Sequence, residues 1–215
     1  MKVFKDYIIE KLKLDSDIKI KEKTKPLYFP EDTYSLTSCI REVLLKNGPD
    51  ANLNVIDTSK ITSMNYLFKE FKNSIENIDI SEWNVSNVIT MEEMFANCKK
   101  FNSDLSNWDV HNLQEAFGMF NNCENFDSDL RNWDVTNLRN AKSMFHNCKN
   151  FNSDLSNWDI TSLEECEYMF AGAEKFKSNL DSWKPSNIRI KSSAAFMFRN
   201  SGIKKLPTWY KKLFN

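Results

Sequence analysis

Cysteine, histidine and aspartate carry most of the chemistry this 215-residue chain has to offer. Cys98, Cys123 and Cys148 stand 25 residues apart. If the chain stacks at that period, neighbouring thiols come within ~4.7–4.9 Å, the separation of adjacent strands. A disulfide or metal ladder is geometrically conceivable there. Packing is the simpler reading, because the thiols share an apolar stripe on which free cysteine behaves as a small hydrophobe. Ala173 takes the next position in the file. His111 and His146 fall at different places in the period, so they complete no ligand set with the thiols. No metal or other cofactor is expected.

The aspartates form two files. Asp79, Asp104, Asp129 and Asp154, continued by Asn179, each stand four residues before a tryptophan. Asn84, Asp109, Asp134 and Asp159, continued by Lys184, each follow one directly. Stacked carboxylates repel unless hydrogen-bonded or countered. For the Asp104 file, capping of turn N–H groups is the expected use. The Asp109 file is expected mid-strand and facing outward. With the residues just before each tryptophan, it defines a candidate partner-binding face: Asn84, Asn107, Asp109, Asn132, Asp134, Asn157 and Asp159. Turn capping is the competing reading for these aspartates too. Acid–base catalysis requires two carboxylates whose pKa values are pushed apart, whereas a repeat gives each the same surroundings. The four glycines, Gly48, Gly118, Gly172 and Gly202, are too scattered for a phosphate-cradling loop or a glycine-rich calcium roll. No enzymatic activity is expected.

The elements that must position these files follow from the repeat itself. Trp83, Trp108, Trp133, Trp158 and Trp183 recur every 25 residues, as do Phe95 to Phe170 and Phe101 to Phe176. Within a unit, Leu105, Trp108 and Val110 have strand-like spacing, and Leu113, Ala116, Phe120 and Cys123 fall on one stripe of a short helix. Neither element buries its apolar side alone, so units must stack. The expected architecture is an α/β repeat solenoid of the leucine-rich-repeat kind, with short parallel strands on one face, short helices on the other and a helical N-terminal cap. Ile56 takes the tryptophan position in a zeroth unit, and a seventh strand is expected at Trp209.

Residues 1–50 read as the N-terminal cap. Leu36, Ile40, Val43 and Leu44 mark a helix over about 33–46, stopped by Asn47-Gly48-Pro49. Val3–Leu14 reads as another short helix and Ile18 with Ile20 as a short strand. Residues 51–210 form the repeat array and 199–215 a C-terminal cap. That last stretch holds Arg199, Lys204, Lys205, Lys211 and Lys212 and no acidic residue. A solvated cap or a docking site for acidic protein or nucleic acid would both account for it.

The unit FNSDLSNWDV from Phe101, followed by MFNNC, resembles the 25-residue repeat of the BspA-type leucine-rich-repeat family. The resemblance covers about residues 51–210, and the opening MKVFKDYIIEKLK is similar to the starts of phage-encoded and gut-bacterial members that have no signal peptide. It implies a solenoid and, for secreted members, surface adhesion or host-protein binding; it carries over no catalytic residues. With a net charge of −1 the chain lacks the basic excess of a nucleic-acid binder. It has neither an apolar export signal at its start nor a run long enough to span a membrane. The expected function is a cytoplasmic, non-enzymatic protein-binding module with its partner on the strand face. The alternatives are a structural or assembly component, such as part of a phage virion, or a surface adhesin. Oligomeric state is left open.

Overall fold

A computed structural model describes residues 25–72 and 75–215. The expected helix at Val3–Leu14 and the strand at Ile18 and Ile20 lie outside the described residues. Among the described residues the regular elements are helix α1 (Thr33–Asn47), one 3₁₀ turn (Lys191–Ala194) and helix α2 (Thr208–Phe214). No helix among them is long and apolar enough to cross a membrane.

The rest of the chain stacks in 25-residue coils, but not as an α/β solenoid. The expected parallel strands and short helices are absent from the described coils, which meet instead at isolated parallel bridges. One series links Ser63, Thr90, Glu115, Asn140 and Glu165 in turn. The reason lies in where the backbone N–H groups go. In the stretch read as a helix, Ala116, Gly118, Phe120 and Asn122 donate to Asn140, Lys142, Met144 and His146 of the next coil at 2.8–2.9 Å. Between them, Met119, Asn121 and Cys123 donate three residues back within their own coil at 2.9–3.2 Å. A helix needs successive bonds four residues back along one strand of chain. Here every second bond leaves the coil.

Two files of left-handed residues maintain that alternation. Glu93, Gly118, Ser143 and Tyr168 form one; Asn97, Asn122, Asn147 and Gly172 form the other. Asparagine tolerates this conformation better than most residues. Its amides also join the coils, Asn122 Nδ2 donating to Asn97 Oδ1 at 2.9 Å and Asn147 Nδ2 to Asn122 Oδ1 at 2.8 Å. Gly172 takes the place of asparagine in the fourth coil, with φ +73°, and Asn200 continues the file at φ +56°.

The half read as a strand is extended, with Phe101, Ser103, Leu105, Trp108 and Val110 turned inward. Side chains rather than backbone carry its links between coils. The Leu105 N–H donates to Ser128 Oγ at 2.8 Å, Leu130 repeats this with Ser153, and Asn102 Oδ1 accepts the Asp127 N–H at 2.8 Å. Ser103, Ser128 and Ser153 are buried for this purpose.

The core is a set of aromatic columns. Successive array tryptophans stack with ring centroids 6.4–6.5 Å apart. Phe95, Phe120, Phe145 and Phe170 repeat at 5.6 Å. Phe101 and Phe126 lie 4.0 and 4.1 Å from Phe95 and Phe120, joining the second phenylalanine column to the first. Each indole also reaches back one coil: Trp133 Nε1 donates to the Leu105 carbonyl and Trp158 Nε1 to that of Leu130, both at 2.9 Å. The file is continuous from Trp83 on Leu53 to Trp209 on Leu180.

Both ends depart from the repeat. Helix α1 is capped by Asp32, whose carboxylate accepts the Ser35 N–H at 2.7 Å, and it lays Leu36, Ile40 and Val43 into the core. Gly48 follows it with φ +83° and donates to the Leu44 carbonyl. The seventh strand expected at Trp209 is instead α2. Its backbone turns helical after Pro207 while Trp209 keeps its place in the indole file.

Truncating a buried tryptophan typically costs ~3–5 kcal/mol. Trp133→Ala should reach that range in urea denaturation, because it empties a column and removes the indole bond to the Leu105 carbonyl. Trp209→Ala should cost less, since that ring is only half-buried and has a neighbour on one side. Trp133→Phe isolates the lost N–H and should cost about 0.5–1.5 kcal/mol, the scale of one hydrogen bond, because the Leu105 carbonyl still accepts the Trp108 N–H at 3.1 Å. Equal losses at Trp133 and Trp209 would show that the coils do not depend on their neighbours in series.

Candidate functional site

Trp108 points inward, so its neighbours Asn107 and Asp109 point out, and the period repeats this at every coil. All seven candidate residues are exposed: Asn84, Asn107, Asp109, Asn132, Asp134, Asn157 and Asp159. They stand on tight turns, not mid-strand. Asp134 Oδ1 accepts the Thr136 N–H at 3.1 Å and the Thr136 hydroxyl at 2.7 Å. Asp159 Oδ1 accepts the Thr161 N–H at 3.0 Å, and Asn84 Oδ1 accepts from Ser86 in the same way at 3.1 Å. At Asp109 the partner is His111, whose Nδ1 lies 2.7 Å from the carboxylate. Such turns need a short side chain with an acceptor at its tip, which explains why Asn84 shares one file with three aspartates.

Capping and outward display therefore coexist. In Asp134 and Asp159 the turn occupies Oδ1, while Oδ2 takes no hydrogen bond among the described residues. The carboxyl of Asp109 is held below the usual range by its bonds to His111, and that of Asp159 by the backbone and side chain of Thr161. These two thus stay ionised across the neutral range, on a surface where each coil adds one more oriented group.

The Asp104 file caps turns as well, and it also ties coils together. Asp104 and Asp154 accept the N–H two residues on, at 2.9 and 3.0 Å. Asp154 further accepts the Ser178 hydroxyl of the next coil at 2.8 Å, and Asp129 pairs with Arg131 at 2.7 Å. Where this file meets the candidate face near the last coils, Asn152, Asp154, Asn157, Asn179 and Ser182 line an open polar hollow of about 550 Å³.

The thiols stand apart from this surface. Cys98, Cys123, Cys148 and Cys166 are buried and unpaired, whereas Cys39 is only half-buried. Cys123 and Cys148 donate to the carbonyls of Phe95 and Phe120, one coil back, at 3.0 Å. Burial pushes the thiols of Cys98 and Cys166 up to about 12 and raises Cys123 and Cys148 strongly. Such thiols are neither nucleophiles nor ready metal ligands. No cluster suited to a metal ion occurs among the described residues.

Two inter-coil contributors carry no obvious mark in the sequence. The buried serines look like loop residues, and Asn87, Asn112 and Asn137 look like helix-start polar residues. In the structure Asn112 Nδ2 donates to the Ser86 carbonyl and Asn137 Nδ2 to that of His111, each at 2.8 Å. The 25-residue period of Asn and Ser is the signal that could have singled them out.

In native protein near pH 8, a disulfide-exchange reagent should modify Cys39 first and the four buried thiols only on unfolding. Prompt reaction of Cys123 or Cys148 in the folded state would contradict the packing described above. Asp134→Asn should leave the urea midpoint nearly unchanged, because an amide oxygen caps the same turn. Asp134→Ala should cost about 0.5–1 kcal/mol, the scale of one hydrogen bond.

The sequence model of the family described as "Mycoplasma protein of unknown function, DUF285" matches residues 40–150 and, again, residues 117–209. No curated protein and no solved structure matches the chain. The two matches overlap in the middle of the array and together run from α1 to α2, through every coil with a tryptophan or its substitute; the chain belongs to this BspA-related repeat family.

Proposed function

We propose that the chain is a non-enzymatic protein-binding array whose partner lies across the turn face carrying Asn84, Asn107, Asp109, Asn132, Asp134, Asn157 and Asp159. The observation that carries this reading is the division of labour within Asp134 and Asp159. One oxygen rigidifies the turn, and the other faces solvent at a fixed place in each coil. A row of preoriented carboxylates interleaved with Asn amides suits a protein segment bearing Lys or Arg at regular spacing, since charge-assisted hydrogen bonds are the strong ones. Binding there disturbs no core contact, because the inward positions of the same coils are separately satisfied. Catalysis has no comparable support, as the carboxylates repeat one role rather than dividing into acid and base.

The test is affinity purification of the tagged protein from its source cells, followed by kinetics on the dominant partner. The combined change Asp109→Asn, Asp134→Asn and Asp159→Asn keeps the caps and removes three charges. Electrostatic steering raises association rates by about ten-fold or more, so association should slow by roughly that factor at low salt and lose most of its salt dependence. Unchanged association, with the thermal midpoint intact, would move the interface off this face.

A further inference from the structure

Charge is sharply segregated along the array. Residues 51–174 hold nine basic and twenty acidic side chains, whereas residues 175–215 hold ten basic and one acidic, Asp181. Upstream, many cations are countered: Lys99 and Lys149 share Glu124, Lys142 pairs with Glu167, and Arg131 with Asp129. None of the ten downstream cations pairs with a carboxylate among the described residues. The single acid, Asp181, is occupied by the Thr208 N–H at 2.7 Å.

The same end exposes apolar surface that a plain cap would turn inward. No residue of α2 is fully buried. Phe196 is 52% exposed, and Leu206 and Phe214 are each 38% exposed. With Phe198, Arg199 and Tyr210 they line an open, mainly apolar hollow of about 390 Å³. The Arg199 guanidinium lies 5.9 Å from the Phe196 ring centroid, at the rim. A second hollow of about 420 Å³ at this end has Lys177, Lys204 and Lys205 around it, with Asp181, Leu180 and Ile203 also in its lining. A solvated cap accounts for the lysines but not for three exposed apolar side chains gathered at one hollow.

We infer that the C-terminal end of the array is a docking site for an acidic protein segment with aromatic or aliphatic anchors. The anchors would fill the hollow between Phe196 and Phe214, and flanking Asp or Glu would meet Arg199, Lys204, Lys205, Lys211 and Lys212. The anchor hollow shares no residue with the acidic turn face, and its surroundings select the opposite charge. Single-stranded nucleic acid also seeks cations beside aromatic rings, but it stacks bases on free ring faces. Here Phe196 is already stacked on Tyr168 at 5.2 Å, Phe198 meets Tyr210 edge-on at 5.0 Å, and Tyr210 lies against Phe214 at 4.8 Å. The rings pool into one apolar surface instead of presenting separate platforms. The acidic body of the array would also repel a long polyanion.

The experiment is fluorescence anisotropy with a short fluorescein-labelled peptide of Asp and Glu carrying two leucines and a phenylalanine. The comparators are the same peptide with serine at the apolar positions and an oligothymidylate of similar charge. The full-length protein is measured beside Phe196→Ser and the double variant Lys211→Glu, Lys212→Glu. All three positions are exposed, and an unchanged thermal midpoint confirms that the fold is kept. The apolar–acidic peptide should bind the parent protein and bind each variant about tenfold or more weakly. Asp109→Asn, Asp134→Asn and Asp159→Asn together should leave this binding intact, which separates the outcome from that of the turn-face test. Four results would overturn the inference: no binding of the peptide, equal binding by both variants, equal affinity for the serine peptide or the oligothymidylate, or salt-sensitive self-association of the parent protein abolished by the same substitutions. The last would make a second copy of the chain the occupant.

Discussion

Each coil leaves polar groups in the interior that only another coil can satisfy. The indole of one coil donates to the Leu carbonyl of the coil before it, and the thiol of Cys123 or Cys148 does the same to a Phe carbonyl. Every second N–H in the turn-rich half points to the coil after it. A buried donor or acceptor without a partner costs about 1–3 kcal/mol, so one coil alone would be heavily penalised before any apolar gain. This requirement for neighbours makes the array cooperative along its axis. It also explains why both ends are built differently, α1 closing the first coil and α2 resting on the last.

The outer surface follows from that inward commitment. Positions facing the core are tied to register by rings and hydrogen bonds, so variation is tolerated where side chains leave the stack. The aspartate files show how one residue can serve both sides of that boundary. A carboxylate with one oxygen on a turn N–H is rigid, and rigidity lowers the entropy lost when its second oxygen meets a partner. In the neighbouring file Asp129 gives Oδ2 to Arg131, whereas Asp154 takes both the Ser156 N–H and the Ser178 hydroxyl of the next coil on Oδ1. The two files thus differ in that the one holding Asp154 also reaches into the next coil, through Ser178.

Charge segregation adds a direction to an otherwise periodic object. Acidic groups dominate the array and basic groups its last part, and no ion pair among the described residues bridges the two. Translational repetition would by itself make every coil equivalent. The interval from Trp183 to Phe198 is three residues longer than in the other coils and holds the 3₁₀ turn Lys191–Ala194, which breaks that equivalence, and the exposed Ile190 and Phe196 flank the turn. The end of the array is therefore both electrostatically and sterically unlike its middle.

Periodicity was sufficient to place the tryptophan, phenylalanine and cysteine columns in the core, because burial follows side-chain type at a repeated position. It also placed Asn107 and Asp109 outside, flanking an inward Trp108. What periodicity could not decide was the backbone conformation joining those positions. The three-, four- and three-residue spacing of Leu113, Ala116, Phe120 and Cys123 is the stripe of a helix, yet the same four side chains are buried by a chain whose N–H groups alternate between its own coil and the next. Leu105, Trp108 and Val110 read as a strand, yet their coil is joined to the next through Ser128 and Asn102. Burial depends on where a side chain points, which the pattern encodes. The hydrogen-bond partner of each N–H depends on which chain segment arrives one coil later, and only the stacked tertiary structure supplies that segment.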